Sequence, residues 1–157
     1  MIAADLRESD RLLKRSVAGR GLFEGEARTD CELKKWWLAF QRDAARISIP
    51  LRVVWGWRSW EQQAELHAKG VGTRPGNSAH NFGMALDVIH MRRAWEQMPK
   101  QGWQLLGAMG KEVARKQGLQ ITWGGDFKSR YDPAHWELTD WHKRTASPCD
   151  CVGGGLP

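Results

Sequence analysis

The chain has 157 residues, enough for one domain that buries roughly 70% of its unfolded surface, so a core needs neither disulfides nor a structural metal. Its net charge of +6 favours polyanionic partners, while the lack of an RNP motif, a Cys/His finger or a long basic run leaves specific nucleic-acid recognition unsupported. No stretch approaches the roughly 20 apolar residues of a membrane span.

In chain order, Leu6, Leu12, Leu13 and Val17 recur among charges and predict an amphipathic helix over 5–17. That N-terminus has no apolar h-region and does not read as a secretory signal. A Gly-rich loop at 19–26 follows. Thr29 or Asp30 then caps a helix to about Arg46, carrying Leu33, Trp36, Trp37 and Phe40 at helical spacing. Pro50 closes that unit, and 51–57, β-branched and aromatic, predicts a strand.

Ser59, with Gln62 at capping-box spacing, starts a helix that runs to Gly70. The Gly-, Pro- and Asn-rich stretch 71–83 is a long loop. Residues 84–90 form a second strand, 101–117 a helix stopped by Gly118, 119–123 a strand, 124–133 a loop and 135–138 a last short strand. The organisation is one domain: a helical N-terminal part (1–50), a core (51–142) and an irregular tail (143–157). The class is α+β, a small, mostly antiparallel sheet flanked by helices.

Ten Trp against one Tyr point to a Trp-rich core, with a surplus for an aromatic-walled groove. Cys31, Cys149 and Cys151 are odd in number, and the two tail cysteines are separated only by Asp150. They read as free thiols of a chain made in a reducing cytoplasm.

The polar residues of interest gather on strand ends and the loops between them. His80 stands seven residues before Asp87, a carboxylate inside an otherwise apolar strand, where burial is costly without a cation. Farther on, Asp132-Pro133-Ala134-His135 repeats carboxylate, bend and histidine. His80, Asp87 and His135 make a three-ligand set that leaves a fourth tetrahedral position for water, the pattern of a catalytic zinc. Asp132 is then placed to take that water's proton. The competing reading is that these histidines are hydrogen-bonded structural residues.

These residues also carry a family resemblance. Ser78-x-His80-x-x-Gly83-x-Ala85-x-Asp87 resembles the zinc signature of peptidase family M15, which comprises D-Ala-D-Ala carboxypeptidases and L-alanyl-D-glutamate endopeptidases. Gly56-Trp57-Arg58-Ser59 with Gln63 is similar to that family's substrate-binding strand and helix. Trp123-Gly124-Gly125-Asp126 and Asp132-x-x-His135 resemble the closing part of its endopeptidase subgroup, which includes phage endolysins. The blocks lie in family order over about residues 50–138. Aspartate stands at position 132 where some relatives carry glutamate, and Trp136 stands where Phe is more usual.

The resemblance implies a hedgehog/D-Ala-D-Ala-peptidase-like fold, one Zn2+ on His80, Asp87 and His135, Asp132 as the catalytic acid/base, and Arg58 on substrate or oxyanion. A guanidinium fork suits that last task. Ser78 either binds a substrate carboxylate or orients its loop. Gln63 reaches the cleft or is plain helix surface, and Trp123 and Trp136 are candidate cleft walls. Asp126 orients a zinc-ligand histidine or bonds its own turn. His67 reads as solvated, while His90 and His142 are left unassigned.

The implied activity is peptidoglycan endopeptidase, most specifically at L-Ala–D-Glu. It would act as a monomeric endolysin, made in a host cytoplasm and freed onto the wall by a holin. The alternatives are a D-Ala-D-Ala carboxypeptidase with the same metal, and a non-catalytic basic wall- or nucleic-acid-binding protein.

Overall fold

The computed structural model describes residues 28–93 and 95–144. The helix expected at 5–17, the loop at 19–26 and all but the first two residues of the expected tail lie outside them. Four helices were expected, and the three within the described residues form: α1 (Cys31–Arg46), α2 (Trp60–Ala68) and α3 (Lys100–Gln117). Four strands form as expected: β1 (Leu51–Trp55), β2 (Ala85–His90), β3 (Ile121–Trp123) and β4 (His135–Leu138). No described helix is long and apolar enough to cross a membrane.

The helix starts follow the capping chemistry. Asp30 caps α1, its carboxylate accepting from the Glu32 N–H at 2.9 Å. On α2 the full capping box is present, with Ser59 and Gln62 serving each other's backbone N–H. Strand β1 stops two residues short of expectation, at Trp55, because Gly56 and Trp57 leave the ladder for the loop that meets His80.

The sheet has the order β1-β2-β4-β3, with every neighbour antiparallel. Alternation along β4 sends Trp136 and Leu138 to one face and His135 and Glu137 to the other. On the first face α1 and α3 close the core. Trp36 and Phe40 of α1 meet Trp136 at ring-centroid distances of 4.9 and 5.5 Å, and Trp123 stacks on Trp136 at 5.8 Å. The Trp36 indole N–H donates to the Gly110 carbonyl at 2.9 Å, tying α1 to α3.

Two glycines let α3 come this close. A Cβ at Gly107 or Gly110 would stand 2.4 Å from the ring of Trp123 or Trp136 respectively. Each glycine costs a helix roughly 1 kcal/mol of propensity relative to alanine, and here the indole packing outweighs it.

One expectation is corrected outside the sheet. Cys31, at the start of α1, is disulfide-bonded, so the three cysteines are not all free. An odd count leaves room for one bridge plus one thiol, and sequence distance to the tail places no bar on pairing once the chain folds. Its partner lies outside the described residues.

Candidate metal centre

The face of the sheet turned away from the helices carries the polar cluster. Asp87 on β2 is directly opposite His135 on β4, and a register shift between Val53 and Trp55 brings Trp55 opposite Asp87 on the other side. Cross-strand partners share a face. Trp55, Asp87 and His135 therefore form a row across three strands.

His80 joins from the loop before β2, in a single 3-10 turn over Ala79–Phe82. Gly83 ends that turn with φ of 71°, and a Cβ there would stand 1.8 Å from the Arg28 carbonyl oxygen. Only glycine meets both demands. Asn81, 6% exposed, fixes the same loop from within: its amide donates to the Arg58 carbonyl at 2.9 Å and accepts from the Gly76 N–H at 3.0 Å. A lone Asn in a Gly/Pro-rich loop gives no signal that it is buried.

One ligand atom each from His80, Asp87 and His135 lie within 4.8 Å of one another. His80 Nε2 is 3.3 Å and His135 Nδ1 3.2 Å from the same carboxylate oxygen, Asp87 Oδ1. His80 Nδ1 lies 2.7 Å from the Gly56 carbonyl oxygen, so it carries the proton and leaves the Nε2 lone pair for the cluster. His135 Nε2 meets Glu137 Oε2 at 2.9 Å, which frees Nδ1 in the same way. Two nitrogens, each oriented by a partner, and one carboxylate oxygen fit a divalent ion such as zinc.

The charges are tightly coupled. Burial pushes the Asp87 carboxyl up, but the charge of His80 and hydrogen bonds from His135 and His80 outweigh it and hold the group well below the usual carboxylate range. Burial pulls His135 down, and its hydrogen bonds to Asp87 and Glu137 overcome that, leaving it pushed up to about 10. An arriving cation must therefore displace the His135 proton.

Asp132 lines the same cleft, of about 580 Å³, beside these three residues. The bend inferred from Pro133 is present: the His135 N–H donates to the Asp132 carbonyl at 3.1 Å, across Pro133 and Ala134. The Asp132 N–H in turn donates to the Gly124 carbonyl at 3.0 Å, and a Cβ on Gly124 would stand 2.2 Å from the Asp132 oxygen. The Gly124-Gly125 pair thus holds the Asp132 backbone by close approach. Burial, then the charge of Asp87, raise the Asp132 carboxyl, against the pull of His135, His80 and Arg130.

Arg58 is 7% exposed and closes the cleft floor. Its Nη1 donates to Gln63 Oε1 at 2.8 Å, its Nη2 lies 3.8 Å from Asp87 Oδ2, and its guanidinium sits over the Trp55 ring at 4.9 Å. Its Nε is buried with no hydrogen-bond partner among the described residues, a donor left for something that enters the cleft.

Other expected residues fall differently. Gln63 is not helix surface: it reaches the cleft wall, 1% exposed, with its amide spent on Arg58 and, at 2.8 Å, on the Thr73 carbonyl. Ser78 lines the cleft, and its side chain makes no capping bond to the turn it precedes. Trp123 and Trp136 are not cleft walls. Trp136 alternates with the cleft-facing His135 and Glu137, and Trp123 is its cross-strand partner, so both face the helices at 6% and 1% exposure. Trp55, Trp95 and Trp141 line the cleft in their place. Asp126 pairs with Lys111, away from the ligands. His67 is exposed, with Nδ1 3.4 Å from the Gly72 carbonyl, His90 Nδ1 accepts from the Arg92 N–H, and His142 lines the cleft stacked on Trp141.

With this geometry in view, known proteins place the chain. A family model described as D-alanyl-D-alanine carboxypeptidase, within peptidase family M15, matches residues 71–138, the segment that holds His80, Asp87, Asp132 and His135. Over that segment the chain is similar to peptidase family M15. It is 29% identical over 118 residues to the peptidoglycan L-alanyl-D-glutamate endopeptidase CwlK of Bacillus subtilis (strain 168), spanning 64% of this chain and 67% of that one. Among solved structures, the Serratia marcescens L-Ala D-Glu endopeptidase ChiX aligns with a TM-score of 0.60 and 27% identity, over 74% of this chain and 84% of that one. The D,D-pentapeptidase VanY, solved as an E175A mutant in complex with Zn(II), aligns at 0.51 and 16% identity over 73% of this chain and 74% of its own, and shares the fold.

Proposed function

We propose that this protein is a zinc-dependent peptidoglycan endopeptidase that hydrolyses a stem-peptide bond, most specifically L-Ala–D-Glu. The carrying observation is the convergence of His80, Asp87 and His135 to within 4.8 Å in a cleft shared with Asp132 and Arg58. The choice of bond is supported by CwlK and ChiX, both named for L-Ala–D-Glu cleavage.

His80 Nε2, an Asp87 oxygen and His135 Nδ1 would hold a zinc ion, which would supply an acidified water and polarise the scissile carbonyl. Asp132, raised by burial, takes the water's proton and returns it to the leaving amine. Arg58, whose guanidinium lines the cleft, steadies the negative charge that builds on the carbonyl oxygen. Ser78, on the cleft wall with its hydroxyl unused as a cap, holds the peptide chain. The cleft-lining Trp55, Trp95 and Trp141 supply apolar faces against which the stem peptide packs.

The net charge of +6 suits approach to an anionic envelope and an endolysin role, an attraction that added salt weakens. The second reading, D-Ala-D-Ala carboxypeptidase, draws on the description of the matching family model. Mass spectrometry of products from purified peptidoglycan, with and without chelator, decides. Fragments ending in L-Ala, formed only without chelator, support the endopeptidase. Release of terminal D-Ala alone refutes it, and no release under any metal condition refutes both.

A further inference from the structure

Glu137 has no part in the reaction proposed above, yet among the described residues it is the acidic side chain in contact with the outer nitrogen of a proposed ligand. We infer that Glu137 is a positioning residue that fixes the tautomer and basicity of His135 and thereby sets the metal affinity of the centre. The inference rests on reading His80, Asp87 and His135 as the metal site.

Strand geometry puts the carboxylate in place. Residues two apart on β4 share a face, so Glu137 follows His135 onto the cleft side while Trp136 anchors the strand in the core. Glu137 Oε2 lies 2.9 Å from His135 Nε2, and its side chain is 20% exposed, so the contact is partly shielded from water. Its cross-strand partners are Ala85 on β2 and Thr122 on β3, so the residue sits in an inner strand with its backbone fixed on both sides.

The two histidines are oriented by unlike partners. His80 gives its Nδ1 proton to a backbone carbonyl, that of Gly56. His135 gives its Nε2 proton to a carboxylate. A carboxylate draws the proton more strongly than a carbonyl, so it makes Nδ1 of His135 the more electron-rich donor. It also adds a negative charge just behind the ligand shell, which favours a dication. Of the two orienting groups, only Glu137 can be altered by substitution.

The test is the zinc dissociation constant of full-length wild type, Glu137→Gln and Glu137→Ala, measured by competition with a chromophoric chelator. Metal-free circular dichroism is recorded alongside. Alanine removes the acceptor and is expected to weaken zinc binding about 10- to 100-fold. Glutamine keeps an acceptor oxygen without the charge and is expected to fall between wild type and alanine. That ordering follows acceptor strength, whereas a mere packing role would leave the isosteric glutamine equal to wild type.

An alanine variant that binds zinc as wild type does overturns the inference. If alanine does not fold, glutamine decides: weaker binding supports the role, and wild-type affinity overturns it. A wild-type protein that binds no zinc removes the inference together with the metal reading, whereas unchanged variants of a zinc-binding wild type remove the inference alone.

Discussion

Arg58 is held by Gln63, and Gln63→Leu isolates what that support is worth. The substitution is close in volume, and residue 63 is 1% exposed, so it deletes hydrogen bonds with little change in packing. Two are lost. The bond from Arg58 Nη1, at 2.8 Å to a guanidinium whose side chain is 9% exposed, is worth about 1.5–3 kcal/mol as a charged-group hydrogen bond. The bond to the carbonyl of Thr73, an exposed residue, costs only about 0.5–1 kcal/mol, since water can replace it. Together these give a loss of about 2–4 kcal/mol, read as a lower urea midpoint with an unchanged m-value. Arg58 Nε already lacks a partner among the described residues, so the freed guanidinium has reason to move, and kcat should fall on purified peptidoglycan. Gln63→Glu keeps an acceptor for Arg58 and should retain more activity than leucine. A leucine variant with wild-type midpoint and wild-type turnover would show that the Arg58–Gln63 contact holds nothing in place.

The metal-free protein should respond to pH in a defined sense. His135 is pushed up to about 10, so its contribution to stability is complete below roughly 6.5, its unfolded value, and is lost as pH rises through about 10. Asp87, held low, contributes above roughly pH 3.9 and loses that contribution as pH falls through its depressed range. Melting temperatures in chelator should therefore decline above roughly pH 6.5, while added zinc, which needs His135 deprotonated, should stabilise more as pH rises. Parallel curves would refute the coupling. Asp132→Asn should cut kcat by about 10²–10⁴-fold with zinc affinity largely kept, and equal loss of both would make Asp132 a ligand rather than a base. Gly110→Ala should lower the melting temperature, because overpacking at about 1–3 kcal/mol exceeds the roughly 1 kcal/mol of helix propensity gained. A stabilised variant would mean that the Trp136 ring yields freely.

The strands and helices within the described residues were legible because their signals are local. Apolar spacing gave α1 its buried Leu33, Trp36 and Phe40, and the Ser59–Gln62 pair announced the start of α2. His80, Asp87, Asp132 and His135 draw together in one cleft, and the sequence singles them out for a different reason: metal ligation and proton transfer demand particular residue types, and a buried polar side chain is costly unless employed. What escaped was mostly a matter of facing. Trp content alone suggests Trp123 and Trp136 as cleft walls, but alternation from His135 turns Trp136 away, and pairing of β3 with β4 turns Trp123 with it. The same alternation points to Glu137, two residues past a ligand. Gln63 was beyond reach by that route, because its burial depends on the 71–77 loop folding over α2 to present the Thr73 carbonyl. The disulfide at Cys31 escaped because pairing is set by the folded path of the chain, not by count.

Local spacing and long-range folding meet at β4. His135 was named by its chemistry, but its strand neighbours divide the labour: Trp136 is locked between α1 and α3 by Trp36, Phe40 and the space at Gly110, and Glu137 turns back to the histidine. A ligand carried on so short a strand owes its precision to that indole. Enlarging Gly110 should therefore disturb zinc affinity as well as stability, although it lies on the opposite face of the sheet. Measuring the zinc dissociation constant of folded Gly110→Ala decides this: weaker binding is expected, and an unchanged constant would show that His135 is held by Asp87 and Glu137 without help from the core.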